Sequence, residues 1–261
     1  MHAMFRVMSR LCLAIAAILF EGSLLAAADG WRVLPLLANG HIDPGWVQVG
    51  WGGFAIEAGA LRTAPDPRGL GLLVYRRERL GDCQIRVVFK VEQAKANSGV
   101  YVRLSDGIFE QIGKPGAAFD RSSGKISKPT MEAMKASAER DEGPWYAVHH
   151  GYEVQIMDTG DAYHRTGAIY SLAPSSAKPK PGEWRTMVIT LEGERVLVDL
   201  DGERVTAFDA AASAAVPPRK NWPEPKREPK RPAAGYIGLQ NHDPGDIVWF
   251  KEVSVRPLPG R

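Results

Sequence analysis

The segment Gly151-Tyr152-Glu153-Val154-Gln155-Ile156-Met157-Asp158 alternates apolar and polar side chains with a period of two. Successive strand side chains point to opposite faces, so the pattern predicts a strand that packs Tyr152, Val154 and Ile156 and turns Glu153 and Gln155 the other way. Asn97 to Arg103 repeats it, with Val100 and Val102 apolar and Asn97, Tyr101 and Arg103 opposite. Tyr236 to His242 does so again, with Ile237 and Leu239 packed against Tyr236, Gln240 and His242. Laid side by side in one sheet, the three strands put Arg103, Glu153, Gln155, Gln240 and His242 on a single polar face. A carboxylate and a carboxamide in an otherwise apolar strand need partners or water, which marks this face as a candidate site. The plainer reading is a solvated outer face, or an Arg103–Glu153 ion pair across neighbouring strands.

Further strands follow from the same reading. Trp31 to Leu37 is a short apolar strand, with turns at Asn39-Gly40 and Pro44-Gly45. Phe54-Ala55-Ile56 followed by Leu61 suggests a hairpin, and Ile85, Val87, Phe89 and Val91 alternate with Arg86, Val88 and Lys90. Later strands run from Thr186 to Leu191, Arg195 to Leu200, Glu203 to Phe208 and Ile247 to Arg256. Asp201-Gly202 favours a tight hairpin, because both positions tolerate positive φ. Residues 105–150 break the rhythm as an insert too long for an ordinary connection. It contains the best helix of the chain, Thr130 to Arg140. Many short strands with one inserted helix and no fixed repeat predict an all-β, two-sheet sandwich.

Composition narrows the picture only a little. At 261 residues the chain can hold a single large β domain. A net charge of +3 does not suit a general nucleic-acid binder. The basic excess concentrates in a Pro/Lys-rich loop, 214–233. Arg6 and Arg10, the apolar run from Leu11 to Phe20 and Ala26-Ala27-Ala28 read as an export signal over 1–28. Export to the periplasm or outside the cell, with no membrane anchor after cleavage, is the expectation for the single domain at 29–261. Cys83 is then the only cysteine of the mature chain, so no internal disulfide can form.

Six stretches in order carry a resemblance: Gly81-Asp82, Asn97 to Arg103, Gly151 to Asp158, Thr166-Gly167-Ala168-Ile169-Tyr170, Pro181-Gly182-Glu183-Trp184, and Gly235 to His242. Together they resemble the 3-keto-disaccharide hydrolase family, formerly a domain of unknown function, over about Gly45 to Leu258. That resemblance implies a concanavalin-like jelly roll. It also implies a small carbohydrate substrate already oxidised to a ketone at carbon 3 by a separate, upstream sugar 3-dehydrogenase. Two departures stand out: Arg185 where the family often has Asn, and Asp201 where it often has Asn before the glycine.

The ketone would acidify the proton on carbon 2, so that the group on carbon 1 can leave by elimination and water can add back. This route needs a base, a group to hold the developing enolate and an acid for the leaving oxygen. Glu153 or His242 is the expected base and Arg103 the enolate stabiliser. Asn97, Tyr101, Gln155, Tyr170, Gln240 and His164 are the expected substrate-binding groups, with Trp145 and Tyr236 as further stacking rings. A divalent metal ion at Glu153, with Asp158, Gln155 or His242 nearby, would polarise the ketone instead. Asp158 alternatively caps the turn at Thr159-Gly160. Two other readings stay open: a lectin-like carbohydrate-binding module, and a laminarinase-like glycoside hydrolase. Glu153-x-Gln155-x-x-Asp158 departs from the latter's Glu-x-Asp-x-x-Glu in its middle and last acids, and a retaining glycosidase needs two carboxyls about 5 Å apart.

Overall fold

The computed structural model describes residues 30–119, 126–212 and 231–258. Its strands are β1 (Arg32–Val33), β2 (Leu37–Ala38), β3 (His41–Ile42), β4 (Trp46–Gly50), β5 (Gly53–Glu57), β6 (Ala60–Ala64), β7 (Gly71–Leu80), β8 (Cys83–Val91), β9 (Ser98–Leu104), β10 (Tyr152–Ile156), β11 (Arg185–Glu192), β12 (Arg195–Leu200), β13 (Glu203–Asp209), β14 (Gly235–Asn241) and β15 (Val248–Pro257). A 3₁₀ turn (Asp106–Gln111), α1 (Lys128–Glu139) and α2 (Pro144–His150) stand between β9 and β10. The expected export signal lies outside the described residues, as does most of the Pro/Lys-rich loop.

The strands form a jelly-roll sandwich. The front sheet runs β10-β9-β14-β7-β4; the back sheet runs β13-β12-β11-β8-β15-β6-β5, with β1 against β15. Neighbouring strands pair antiparallel throughout, and distant ones such as β8 with β15 and β9 with β14 lie side by side. Alternation sets the faces. In β8, Cys83, Ile85, Val87, Phe89 and Val91 are buried while the residues between them are half-buried. They meet Val100, Val102, Tyr152, Val154, Ile156, Ile237 and Leu239 of the front sheet in one apolar core. The hairpin turns at Asn39-Gly40, Ala58-Gly59 and Asp201-Gly202 carry positive φ at both positions, the mirror-image geometry that matches strand twist.

β7 and the insert depart from the expectation, and the single strand expected over Trp31 to Leu37 is two, β1 against β15 and β2 against β3. β7 was hidden because Leu72-Leu73-Val74-Tyr75 is continuously apolar, and a strand covered on both sides shows no alternation. Leu73 and Tyr75 face the core between the sheets, whereas Leu72 and Val74 face a second apolar cluster on the outside of the front sheet. The insert builds that cluster with two helices rather than one. Ser127 caps α1, its hydroxyl accepting from Thr130 N (3.2 Å). The second helix, α2, starts at Pro144 after Gly143 with φ 57°. Met134 and Ala138 of α1 and Trp145, Ala147 and Val148 of α2 pack with Val49, Leu72, Val74 and Leu104 of the sheet. The insert therefore covers part of the front face and walls the rest.

Candidate active site

Register puts the polar residues of β9, β10 and β14 together. Glu153 pairs with Tyr101 and Gln155 with Gly99, while Gly238 of β14 pairs with Tyr101 from the other side. Glu153 is 5% exposed and Gln155 1%, so both need partners. Tyr101 O–H donates to Glu153 Oε2 (2.7 Å), and Gln240 Nε2 donates to the same phenol oxygen (3.2 Å). With its amide turned to satisfy both groups, Gln155 Nε2 donates to Glu153 Oε1 (3.2 Å) and Ser98 O (2.8 Å). The Glu153 side chain lies directly over Gly99: a Cβ there would sit 2.5 Å from Oε1. The glycine of Asn97-Ser98-Gly99 is the space that the carboxylate occupies.

This network is the floor of a cavity of about 220 Å³. Asn97, Tyr101, Glu153, Gln155, His164, Tyr170, Gln240 and His242 line it on the polar side, and Leu70, Trp145, Val148 and Met157 on the apolar side. All six expected substrate-binding residues, Glu153 and His242 are thus brought together. Among the described lining residues Glu153 is the sole carboxylate.

The segment after β10 folds back along that strand's free edge. Gln155 N donates to Ala168 O, Gly167 N to Gln155 O and Tyr170 N to Glu153 O, which sets Tyr170 beside the floor. The same segment delivers His164, whose Nδ1 lies 2.6 Å from Asp161 Oδ1 and whose Nε2 lies 3.1 Å from Ser171 Oγ. A carboxylate only accepts, so Nδ1 carries a proton toward Asp161 and Nε2 faces the hydroxyl. Across the cavity, His242 Nδ1 is held in the same way, 3.2 Å from Asp246 Oδ2 and 3.3 Å from Asp243 Oδ2. Two carboxylate-oriented imidazoles therefore share the cavity with Glu153. Asp161 and Asp246 were missed in the sequence, where Asp161-x-x-His164 and His242-x-x-x-Asp246 were the available signals.

Three expectations fail. Arg103 does not line the cavity. β9 advances three residues from Tyr101 to Leu104 while β14 retreats two from Gly238 to Tyr236, so a bulge intervenes and Leu104 takes the face that Arg103 was expected to hold. Arg103 itself has φ 54° and donates to Asp82 Oδ1 (3.0 Å) and Pro232 O (3.1 Å). Asp158 is also absent from the cavity. Its oxygens accept from Thr166 Oγ1 (2.6 Å) and Lys180 N (2.8 Å), so it fastens the segment after β10 instead of joining Glu153 in a metal site. Tyr236, offered as a stacking ring, packs edge-on against Phe109 and donates to Asp106. Among the described residues, the group with metal-ligand spacing is His242, Asp243 and Asp246, whose ligand atoms lie within 4.8 Å of one another.

The model of the 3-keto-alpha-glucoside-1,2-lyase-like domain family matches residues 30–256. The chain belongs to that family. No curated protein matches it. Two crystal structures from Parabacteroides distasonis ATCC 8503, provisionally described as glycosyl hydrolases, share the fold with this lyase-like domain. One is 23% identical with a TM-score of 0.51 over 78% of this chain and 90% of that one. The other is 18% identical with a TM-score of 0.52 over 88% of this chain and 95% of that one. Family membership supports a carbohydrate-processing, sugar-cleaving role for the domain.

Proposed function

We propose that the cavity binds a glycoside whose sugar is a ketone at carbon 3, and cleaves its carbon 1–oxygen bond by elimination. Glu153 takes the proton from carbon 2. The electron pair passes through the enolate to form the carbon 1–carbon 2 double bond as the aglycone oxygen leaves. His164 or His242, in its imidazolium form, protonates that oxygen; water then adds at carbon 1, its proton passing to the imidazole, as Glu153 returns its proton to carbon 2. With Arg103 turned away, and the Tyr101 O–H and both Gln155 N–H groups already given to Glu153 and Ser98, the second N–H of Gln240 is the floor donor left to hold the enolate oxygen.

The observation that carries this reading is the single described carboxylate on the cavity floor, in a cavity that two imidazoles also line. A retaining or inverting glycosidase needs two carboxyls flanking the bond, and the second acid of the laminarinase-like pattern, Asp158, is spent on Thr166 and Lys180. A lectin has no use for Glu153 hydrogen-bonded to Tyr101 beside two oriented histidines. The test is turnover of a 3-keto-glucoside and its unoxidised parent in D₂O. Aglycone release from the ketone alone, with deuterium at carbon 2 arriving faster than in an enzyme-free control, supports elimination. Release from the parent points to a glycosidase, and binding without release to a lectin. Glu153→Gln is expected to abolish release while keeping the folding transition of the parent protein.

A further inference from the structure

The outer face of the back sheet carries a feature that the cavity does not explain. In β15 and its neighbours, Trp249 pairs with Arg62 on one side and Lys90 on the other. Trp184, one residue before β11, falls next to Lys90, because Arg185 pairs with Phe89. Cation and ring alternate across four strands in the order Arg62, Trp249, Lys90, Trp184. Arg62 lies 6.0 Å from the Trp249 ring, Lys90 Nζ lies 4.3 Å from Trp249 and 5.2 Å from Trp184, and Lys251 Nζ lies 5.6 Å from Trp184. At about 4.8 Å per strand the row is roughly 14 Å long.

Charge balance separates the two lysines of this surface from Arg62 and from the arginines Arg86, Arg195 and Arg204 of the same sheet. Arg86 pairs with Glu252, Arg204 with Asp199, Arg195 with Glu192 and Arg62 with Glu57. Lys90 and Lys251 have only tryptophan faces: no described carboxylate lies within 4.0 Å of either ammonium. Trp184 is 43% exposed, a large aromatic left half in water. Uncompensated ammonium groups spaced by indole rings attract anions, and the ring edges offer apolar surface to the C–H groups of a sugar.

We infer that this row is a second binding surface, for an anionic polysaccharide bearing carboxylate groups along its chain. It lies on the sheet opposite the cavity, so a polymer can be held there while the cavity stays open, and the inference does not depend on what the cavity cleaves. A membrane surface is the poorer occupant, since the row presents indoles bracketed by cations with no aliphatic side chain among them.

The experiment is affinity electrophoresis through gels containing polygalacturonate, neutral dextran or nothing, at low and high salt, with anionic phosphatidylserine vesicles and single-stranded DNA tested by co-sedimentation and gel shift. The parent protein is expected to be retarded by polygalacturonate at low salt and not by dextran, and Glu153→Gln to be retarded equally. Lys90→Gln/Lys251→Gln should weaken the interaction at least tenfold, and Trp184→Ala should weaken it too. Both variants must show the parent's thermal transition. No retardation by polygalacturonate, equal retardation of the double variant, or stronger binding to vesicles or DNA than to the polymer would each overturn the inference.

Discussion

At the scale of single residues, two departures from the family pattern prove to be one. Arg185 Nε donates to Asp201 Oδ2 (2.9 Å), and Asp201 Oδ1 accepts from Thr186 N (2.9 Å). Neither residue is unusual alone; the pair ties the start of β11 to the β12–β13 turn. Burial acts to raise the Asp201 pKa, but the Thr186 N–H, the Arg185 hydrogen bond and the Arg185 and Lys180 charges outweigh it and hold the carboxyl below its ordinary value. A folded pKa below the unfolded one gives stability that is present above the unfolded value and disappears as pH falls through the folded one. Asp201→Asn keeps a residue that tolerates the positive φ, so it removes mainly the charge. Urea unfolding is expected to show a loss of about 1–3 kcal/mol at neutral pH, shrinking below about pH 4 as the parent protonates. Arg185→Asn/Asp201→Asn should cost less than the two single changes summed, by about 0.5–3 kcal/mol. Gly99 offers the complementary test for the floor. Gly99→Ala pushes a methyl against Glu153 Oε1, and a displaced carboxylate is expected to lower kcat about 100-fold while the thermal transition persists.

At the scale of elements, β9 explains both what the sequence disclosed and what it concealed. Period-two counting placed Val100 and Val102 in the core and Tyr101 on the floor, because that stretch of β9 is regular. It failed two residues later, since a one-residue bulge leaves no mark in a string of letters and reverses every side chain beyond it. The insert failed differently. The longer helix α1 was legible from its helix formers, whereas α2 has only seven residues, opens with Pro144 and is held by packing of Trp145 and Val148. Local propensity says little about so short a helix. The bulge makes a prediction of its own. Arg103 is 4% exposed and anchors β9 to Asp82 and Pro232, so Arg103→Ala should lower stability by about 1–3 kcal/mol. Steady-state kinetics should find its kcat unchanged; a collapse of kcat in a folded Arg103→Ala protein would return Arg103 to the chemistry.

At the scale of the whole molecule, the sandwich depends on one apolar core between its sheets, and Cys83 is the cysteine among its described residues. That cysteine sits inside the core. Cys83 is 6% exposed, and burial pushes its thiol up to about 11, outweighing the nearby Arg103 charge that lowers it. Tyr152, in the same core, is raised for the same first reason. A thiol whose folded pKa exceeds its unfolded one costs nothing while both states are protonated. As pH rises past the unfolded value of about 9, the unfolded chain ionises first and gains what the core denies. Stability must then fall between about pH 9 and 11, by up to roughly 1.4 kcal/mol per pH unit for one proton. Cys83→Ala removes the thiol at the expense of a small cavity, so it should start less stable at pH 7.5 and decline less steeply with alkali. Denaturant unfolding of both proteins at several pH values from 7.5 to 11 reads the two slopes, and a thiol reagent at pH 8 should label Cys83 only after denaturant is added. Parallel slopes, or rapid labelling of the native protein, would mean that water reaches Cys83 between the sheets of the folded protein.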